Sequence, residues 1–241
     1  MQLVANQQLV RNRVRIGLGF HLGALAVFAI GLAISLSVDT TRELPLAAWV
    51  AILLGLVFYS VGQTQLRRWG PRNRQEEPLG QAIRGLDDRY KLYAFLSPSL
   101  PDYILVSPAG AHVLIVRQDS GEIKCRADQW GKPSGRIFGA LFGPGLGNPS
   151  ADAARQLQRL NRLLANDGLD GVPSSALIVF TNPKVALHVE GCSATVTRLR
   201  DLKDVLRRMA GKGQNVALTQ TRVREVQKVL DERMHAAPAW R

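Results

Sequence analysis

The chain has 241 residues, enough for one medium-sized domain with a real core plus appended segments. It carries 31 Lys or Arg against 19 Asp or Glu, and this formal net charge of +12 favours polyanions or an anionic membrane face as partners. The two cysteines, Cys125 and Cys192, have no CxxC or CxxxH neighbour, which excludes an ordinary zinc site.

Two apolar runs in the first third of the chain predict membrane-spanning helices. The first covers residues 17–38 without a charge, and the second covers residues 44–61 after a short polar link. Each is close to the roughly 20 residues that cross a hydrocarbon core. The alternatives are a signal peptide or a buried core helix, and the second run argues against cleavage. The sequence therefore predicts a two-span hairpin in the lipid bilayer, within an N-terminal segment of residues 1–69.

Basic residues near the ends of these runs predict the orientation. They precede the first run and follow the second, whereas the link carries only Arg42 beside two acidic residues. The positive-inside rule then places both termini in the cytoplasm. In that reducing compartment we expect Cys125 and Cys192 to be free structural thiols. Gly19 and Gly23 form a small-xxx-small pair that suits close packing of helices, within the hairpin or with another helix.

A polar, proline-bounded linker at 70–78 leads to a predicted soluble domain at 79–210. Apolar runs predict buried strands at 103–107, 111–117, 122–126, 175–181 and 194–197. Amphipathic spacing predicts helices at 79–92, 150–166, 201–209 and 219–234, with Ser150 as the cap of the second. This alternation predicts an α/β fold, a mixed sheet flanked by helices.

Positive charge is concentrated at the end of the chain, where residues 211–241 are predicted to form a basic C-terminal helix. Residues 198–241 carry a net charge of +6, against +2 for residues 79–197. Such a surplus fits either a position near anionic lipid or contact with nucleic acid. A row of arginines in the predicted helix at 150–166 is open to the same two interpretations, a solvated face or a track for a phosphate backbone. The row consists of Arg155, Arg159 and Arg162.

The most informative segment of the predicted soluble domain is a strand-turn-strand at 102–117. It begins at the carboxylate Asp102, turns at Pro108-Ala-Gly110, and returns as an apolar strand that ends at Arg117. A metal-dependent nuclease holds a divalent ion between carboxylates, and the ion lowers the pKa of a bound water. The second carboxylate belongs two residues before the basic residue. This chain has Ile115 there.

These residues resemble the nuclease-related domain, NERD, a branch of the PD-(D/E)xK nuclease-like superfamily. The stretch 102–110 is similar to the family's D-H-V-V-V-G-P-x-G strand and turn, and 110–121 to its G-x-x-V-I-E-x-K-x-x-x-G strand. Trp130, and then Asn148-Pro149 before a helix, match later family positions. The resemblance covers residues 79 to about 206 and implies a restriction-endonuclease-like fold behind the membrane hairpin.

The resemblance implies a remnant active site. Asp102 would keep the first metal carboxylate, and Arg117 would keep a positive charge where the family has Lys, although a guanidinium cannot transfer protons. Ile115 replaces the family's Glu and cannot bind a hard cation, and Gln81 replaces a further Glu. We therefore expect no cofactor, with Mg²⁺ or Mn²⁺ bound only if other carboxylates rescue the site. The candidates for such a rescue are Asp119, Glu122, Asp128 and Asp152.

The sequence thus predicts a membrane-anchored cytoplasmic domain that is catalytically inactive and binds nucleic acid, DNA or RNA, or protein. The candidates for nucleic-acid contact are Arg117, Arg155, Arg159 and Arg162. Two alternatives stay open: a divalent-metal-dependent nuclease with a rearranged site, and a structural membrane protein with protein partners only. His112, on an apolar strand, is predicted to be a buried, hydrogen-bonded imidazole rather than a metal ligand. The sequence contains no nucleophile elbow, kinase signature or dinucleotide fingerprint.

Overall fold

The computed structural model of the chain describes residues 1–37, 46–71, 74–132, 146–212 and 218–236. Several sequence features therefore lie outside the described residues: the polar link with Arg42, Arg72, most of the glycine-rich loop before residue 146, and the last five residues. The chain forms two compact units. One consists of residues 7–74, and the other of residues 1–6 together with residues 75–241.

Two long apolar helices make up the unit of residues 7–74. They are α1, Gln7–Ser37, and α2, Leu46–Trp69. Both are long and apolar enough to cross a membrane, with mean hydropathies of 2.0 and 1.8 in their most apolar windows. Two apolar helices thus occur where the sequence predicted two spans, and their length and composition are compatible with a bilayer.

The two helices pack along a seam of mostly small residues spaced seven apart. The buried seam positions are Val10, Gly17, Ala24 and Gly31 on α1, and Ala48, Gly55, Gly62 and Trp69 on α2. A seven-residue repeat keeps one face of each helix on its partner, and small side chains let the backbones approach. The predicted pair Gly19 and Gly23 is not part of this seam, because a Cβ added at either meets no atom within 4 Å.

We expect Gly62→Ala to destabilise the hairpin by about 1–3 kcal/mol, the usual cost of overpacking. The added methyl carbon would lie 2.3 Å from Nδ1 of His21 and 3.0 Å from the carbonyl oxygen of Gly17. Gly23→Ala is the matched control and should change stability by less than about 0.5 kcal/mol. Loss of helicity on titrating the detergent-solubilised chain with a denaturing detergent measures both. If Gly62→Ala and Gly23→Ala change the stability equally, Gly62 is not part of a close-packed seam between α1 and α2.

The second unit contains two sheets and four further helices among its described residues. The strands of the larger sheet are β1 Gln2–Ala5, β2 Lys91–Ala94, β3 Tyr103–Ser107, β4 Gly110–Arg117, β7 Ser174–Phe180 and β9 Thr195–Arg198. The smaller sheet consists of β5 Gly121–Arg126, β6 Gln129–Gly131 and β8 Val185–Glu190. The helices are α3 Glu76–Ala82, α4 Pro149–Asn166, α5 Leu202–Lys212 and α6 Gln220–Ala236.

The larger sheet is mixed, in the order β1-β2-β3-β4-β7-β9. Only β3 runs antiparallel to its neighbours, whereas β1 with β2, β4 with β7, and β7 with β9 are parallel pairs. Ile178 of β7 belongs to a buried cluster with Leu160 of α4 and Val226 of α6. Leu177 and Val179 alternate to the opposite face and are also fully buried. The predicted α/β fold, a mixed sheet flanked by helices, is confirmed.

The predicted helix over 79–92 is wrong in its second half. α3 ends at Ala82, Gly85 has a positive φ of 81°, and the chain then enters β2 at Lys91. Leu79, Ile83, Leu86 and Tyr90 have helical spacing and are all buried, but they belong to a helix, a turn and the approach to a strand. Spacing alone could not separate these cases, because each places apolar side chains on the same core.

The cap of α4 is Asn148, two residues before the predicted Ser150. Oδ1 of Asn148 accepts a hydrogen bond from the backbone N–H of Ala151 at 3.0 Å, and Pro149 occupies the first helical turn. Both are favourable there, because asparagine satisfies an exposed N–H group and proline has no N–H to leave unpaired. Ser150 instead accepts a hydrogen bond from the indole N–H of Trp130 at 2.9 Å.

The prediction of free thiols is wrong for both cysteines, which are joined by a disulfide. Cys125 lies on β5, and Cys192 follows β8. Because β5 and β8 are parallel neighbours, the chain that leaves β8 passes the end of β5. The two Cα atoms are 6.5 Å apart, although 67 residues separate them in sequence.

Candidate functional site

The strand-turn-strand singled out by sequence is the β3–β4 hairpin. Ser107 and Gly110 pair across a two-residue turn, and Gly110 has a φ of 131°. A Cβ at Gly110 would lie 2.0 Å from the carbonyl oxygen of Pro173, the oxygen that accepts a hydrogen bond from the N–H of Ala111 at 2.9 Å. Glycine is therefore required at this position by both backbone conformation and space. The turn fixes the register of the two strands.

The pairing of β3 with β4 runs from Ser107–Gly110 to Ile104–Val113. Asp102 directly precedes β3, and Ile115 lies on β4 two residues beyond the last pair. The backbone carbonyl of Asp102 accepts a hydrogen bond from the N–H of Phe95 at 2.8 Å, which ties it to the chain beyond β2. The sequence assigned Asp102 and Ile115 to a pair of metal-ligand positions, and the β3–β4 pairing ends before it reaches either residue.

Ile115 is part of the core. Its side chain is 6% exposed and belongs to the buried cluster that includes Ala153 and Leu160 of α4. On β4 it is paired with Ile178 of β7. The aliphatic side chain offers no ligand atom, and its surroundings offer an ionised carboxylate no compensation for lost water.

Arg117 holds the end of β4 to the chain that precedes α4. Its Nη2 donates a hydrogen bond to the carbonyl oxygen of Leu146. Its Nε lies 3.3 Å from Oδ2 of Asp119, whose other oxygen lies 2.8 Å from Nζ of Lys132. Asp119, one of the candidates for rescue of a metal site, is therefore engaged by two cations.

The other candidate carboxylates also have local partners. Glu122 lies 3.1 Å from Nζ of Lys124 on the smaller sheet. Asp128 accepts hydrogen bonds from the N–H and hydroxyl of Ser193, both at 3.0 Å, and Asp152 pairs with Nη2 of Arg155. Within the described ranges, the sole cluster of three metal-type side chains combines Cys125, Asp128 and Cys192, two of which are bonded to each other. Among the described residues, no cluster of three metal-type side chains therefore includes Asp102, whereas Mg²⁺ and Mn²⁺ need several oxygen ligands.

The arginine row lies on the outer face of α4. Arg155, Arg159 and Arg162 are exposed, and their spacing of four and three residues places them on one side of the helix. The opposite side buries Leu160 and Leu164 in the core. The row extends for roughly 10 Å along the helix axis, at 1.5 Å per residue.

His112 is a buried imidazole with both ring nitrogens in contact with hydroxyl groups, as predicted. Nε2 lies 2.7 Å from Oγ of Ser107, and Nδ1 lies 2.8 Å from Oγ of Ser175. Burial lowers the pKa of His112 to about 4, so the ring is neutral at physiological pH. Because Ser107 is only 1% exposed, this serine–histidine pair has no access to a substrate.

The sequence analysis missed a pocket at the carboxyl ends of β7 and β9. Its volume is about 410 Å³, and its polar lining comes from three separate segments. The polar lining residues are Gln81, Thr181, Asn182, Arg198 and Arg200. The one signal in the sequence is the change from an apolar strand to Thr181-Asn182-Pro183, since polar residues that end a buried strand often face a ligand site.

Comparisons with known proteins do not assign the chain to a family. No family model matches it, and no curated protein or solved structure matches it either. The resemblance to NERD therefore depends on the β3–β4 hairpin and the residues that follow it.

Proposed function

We propose that this protein is a membrane-anchored NERD-like domain that does not cut but binds nucleic acid. In this proposal the α/β unit has a restriction-endonuclease-like arrangement, and α1 and α2 hold it at the cytoplasmic face of a bilayer with both termini inside. The observation that carries it is the burial of Ile115 in the core, two residues before Arg117 on β4, at the position where a nuclease would need its second carboxylate.

The packing around Ile115 supports the proposed absence of metal-dependent cleavage. A single substitution of Ile115 by Glu would place a carboxylate among the aliphatic side chains below α4, and burying an ionised group without partners costs several kcal/mol. Asp119 cannot replace it without giving up its contacts with Arg117 and Lys132. These contacts support the proposal of a nuclease-like domain that does not carry out metal-dependent cleavage.

Binding of nucleic acid is supported by the arginine row on α4. No ion pair engages Arg159 or Arg162 among the residues that the structure describes, and Arg155 is paired only with its neighbour Asp152. Guanidinium groups bind phosphate oxygens through paired donors. The net charge of +12 adds long-range attraction for a polyanion.

The test is the affinity of the full chain, in a neutral detergent, for a fluorescent duplex of about 20 base pairs and for single strands of DNA and RNA, at several salt concentrations. We expect Arg155→Gln, Arg159→Gln and Arg162→Gln together to lower the affinity for duplex about tenfold or more at low salt. The slope of log K against log salt should become shallower by about 2–3, because each lost phosphate contact contributes about 0.9.

The matched control removes three positive charges from α6, by Arg222→Gln, Arg224→Gln and Lys228→Gln. These side chains are exposed, so the net charge changes equally while α4 is intact. Equal loss of affinity in both variants would overturn the α4 interface. Wild-type binding that does not depend on salt would overturn nucleic-acid binding and favour protein partners. Cleavage of a plasmid with Mg²⁺ or Mn²⁺ that disappears in Asp102→Ala would overturn the proposed inactivity.

A further inference from the structure

The pocket at the carboxyl ends of β7 and β9 lies where open α/β sheets commonly bind ligands. β7 ends at Phe180 and β9 ends at Arg198, and the two strands are parallel neighbours. The last residues of α3, Gln81 and Ala82, form the facing wall. Loops that follow adjacent parallel strands meet at one edge of the sheet and enclose a crevice there. A volume of about 410 Å³ is enough for a small organic ligand but not for an extended one.

The walls of this pocket are mainly apolar. Ala82, Phe180 and Leu199 line it together with two prolines. Asn182 is held in place by its own turn, because its Oδ1 accepts the N–H of Lys184 at 2.9 Å and its Nδ2 donates to the carbonyl of Gln118 at 3.3 Å. Gln81 makes no side-chain hydrogen bond with any described residue, so its amide is available to a ligand.

Two arginines give the pocket its charge, and one carboxylate orients both. Nε of Arg198 lies 2.8 Å from Oδ2 of Asp201, and Nε of Arg200 lies 3.7 Å from Oδ1 of the same side chain. The Nη atoms of these two arginines have no hydrogen-bond partner in the part of the chain that the structure describes. Among the described residues, no acidic side chain lines the pocket itself. The free ends of the two guanidinium groups therefore suit an anion with several oxygens.

We propose that this pocket binds a small organic phosphate with a ring-containing body, of the size of a mononucleotide. The phosphate would be bound by Arg198 and Arg200, the body would lie against the apolar walls, and the amide of Gln81 would contact a polar edge of the ring. This site involves neither the α4 arginines nor Asp102, so it does not depend on the function proposed above.

The probes are the four ribonucleoside monophosphates, titrated into the detergent-solubilised full chain by calorimetry, with adenosine and inorganic phosphate as the two halves of a ligand. We expect at least one mononucleotide to bind about tenfold or more tightly than either half, because both the anion and the body contribute. Arg200→Gln should weaken that binding about tenfold, the loss of one charge-assisted contact. Ala82→Phe should abolish it by filling the pocket.

Arg207→Gln is the matched control, because this exposed arginine on α5 does not line the pocket. A 5′-phosphorylated oligonucleotide tests whether the ligand is the end of a polynucleotide or a free nucleotide. If the oligonucleotide binds as tightly as the mononucleotide, the ligand is the end of a polynucleotide. If it binds more weakly than the mononucleotide, the ligand is a free nucleotide. Absence of binding by any mononucleotide at millimolar concentration would overturn the proposal. Binding that survives both Arg200→Gln and Ala82→Phe, in variants with wild-type thermal unfolding, would overturn it as well.

Discussion

Acidification from pH 7 to pH 4 should remove about 3 kcal/mol of the stability of the α/β unit through His112 alone. The pKa of His112 is lowered by burial from 6.5 to about 4, so the unfolded chain takes up a proton more readily than the folded one. Its contribution is complete above the unfolded pKa and is lost as the pH falls towards the folded pKa. The difference of about 2.5 units corresponds to about 3 kcal/mol.

His112→Gln separates this contribution from that of the carboxylates. Glutamine retains polar atoms near Ser107 and Ser175 but does not titrate, so the variant should lose stability at neutral pH and show a much flatter pH dependence between 6.5 and 4. The measurement is chemical unfolding of the detergent-solubilised chain, followed by the fluorescence of Trp130. His188→Gln, at an exposed histidine, is the control. If the unfolding free energy of His112→Gln depends on pH as steeply as that of the wild type, the pH dependence does not come from His112.

Loss of the disulfide between Cys125 and Cys192 should destabilise the same unit by about 4 kcal/mol. The bond closes a loop of 67 residues, and opening a loop of this length restores much chain entropy to the unfolded state. Cys192→Ser, Cys125→Ser and the double variant should have similar unfolding free energies, because each removes the same crosslink. Unfolding by urea with and without a reductant measures the effect in the wild-type chain.

The same bond bears on the orientation in the membrane. The distribution of arginine around α1 and α2 predicts a cytoplasmic domain, whereas disulfides are rare in a reducing cytoplasm. Alkylation of intact membranes, before and after reduction, shows whether the bond exists in the cell. Two thiols that react without reduction would contradict the crosslink and agree with the cytoplasmic orientation. Two thiols that react only after reduction would favour the opposite side.

Sequence predicted best the elements that bury a continuous apolar run. β3, β4 and β7 are rich in Val, Ile and Leu and buried on both faces over most of their length, so their local pattern and their tertiary environment agree. The periodicity of Leu157, Leu160 and Leu164 predicts α4, and Leu160 and Leu164 are buried whereas Leu157 is only partly buried. The pairing of Ser107 with Gly110 could be anticipated as well, because a two-residue turn leaves little freedom in register.

The elements that sequence missed depend on contacts between distant segments. β1 has only four residues, and they pair with residues 91–94, beyond both apolar helices. β8 is mostly exposed and is a strand because it lies beside β5. The pocket requires α3, the end of β7 and the end of β9 to meet, and none of these carries a motif for it. Local sequence patterns contain no information on contacts between segments that are distant in the chain.

The pairing of β1 with β2 has a consequence for biosynthesis. Leu3 and Val4 leave the ribosome before α1 and α2, yet their partners Leu92 and Tyr93 are made only after both helices. The edge of the sheet must therefore wait until the whole hairpin has been synthesised. If the hairpin enters a bilayer, the strand and its partner can meet only when both helices cross, since a single crossing would leave them on opposite sides. In that case, β1 would complete the larger sheet only in chains whose α1 and α2 had both crossed the bilayer.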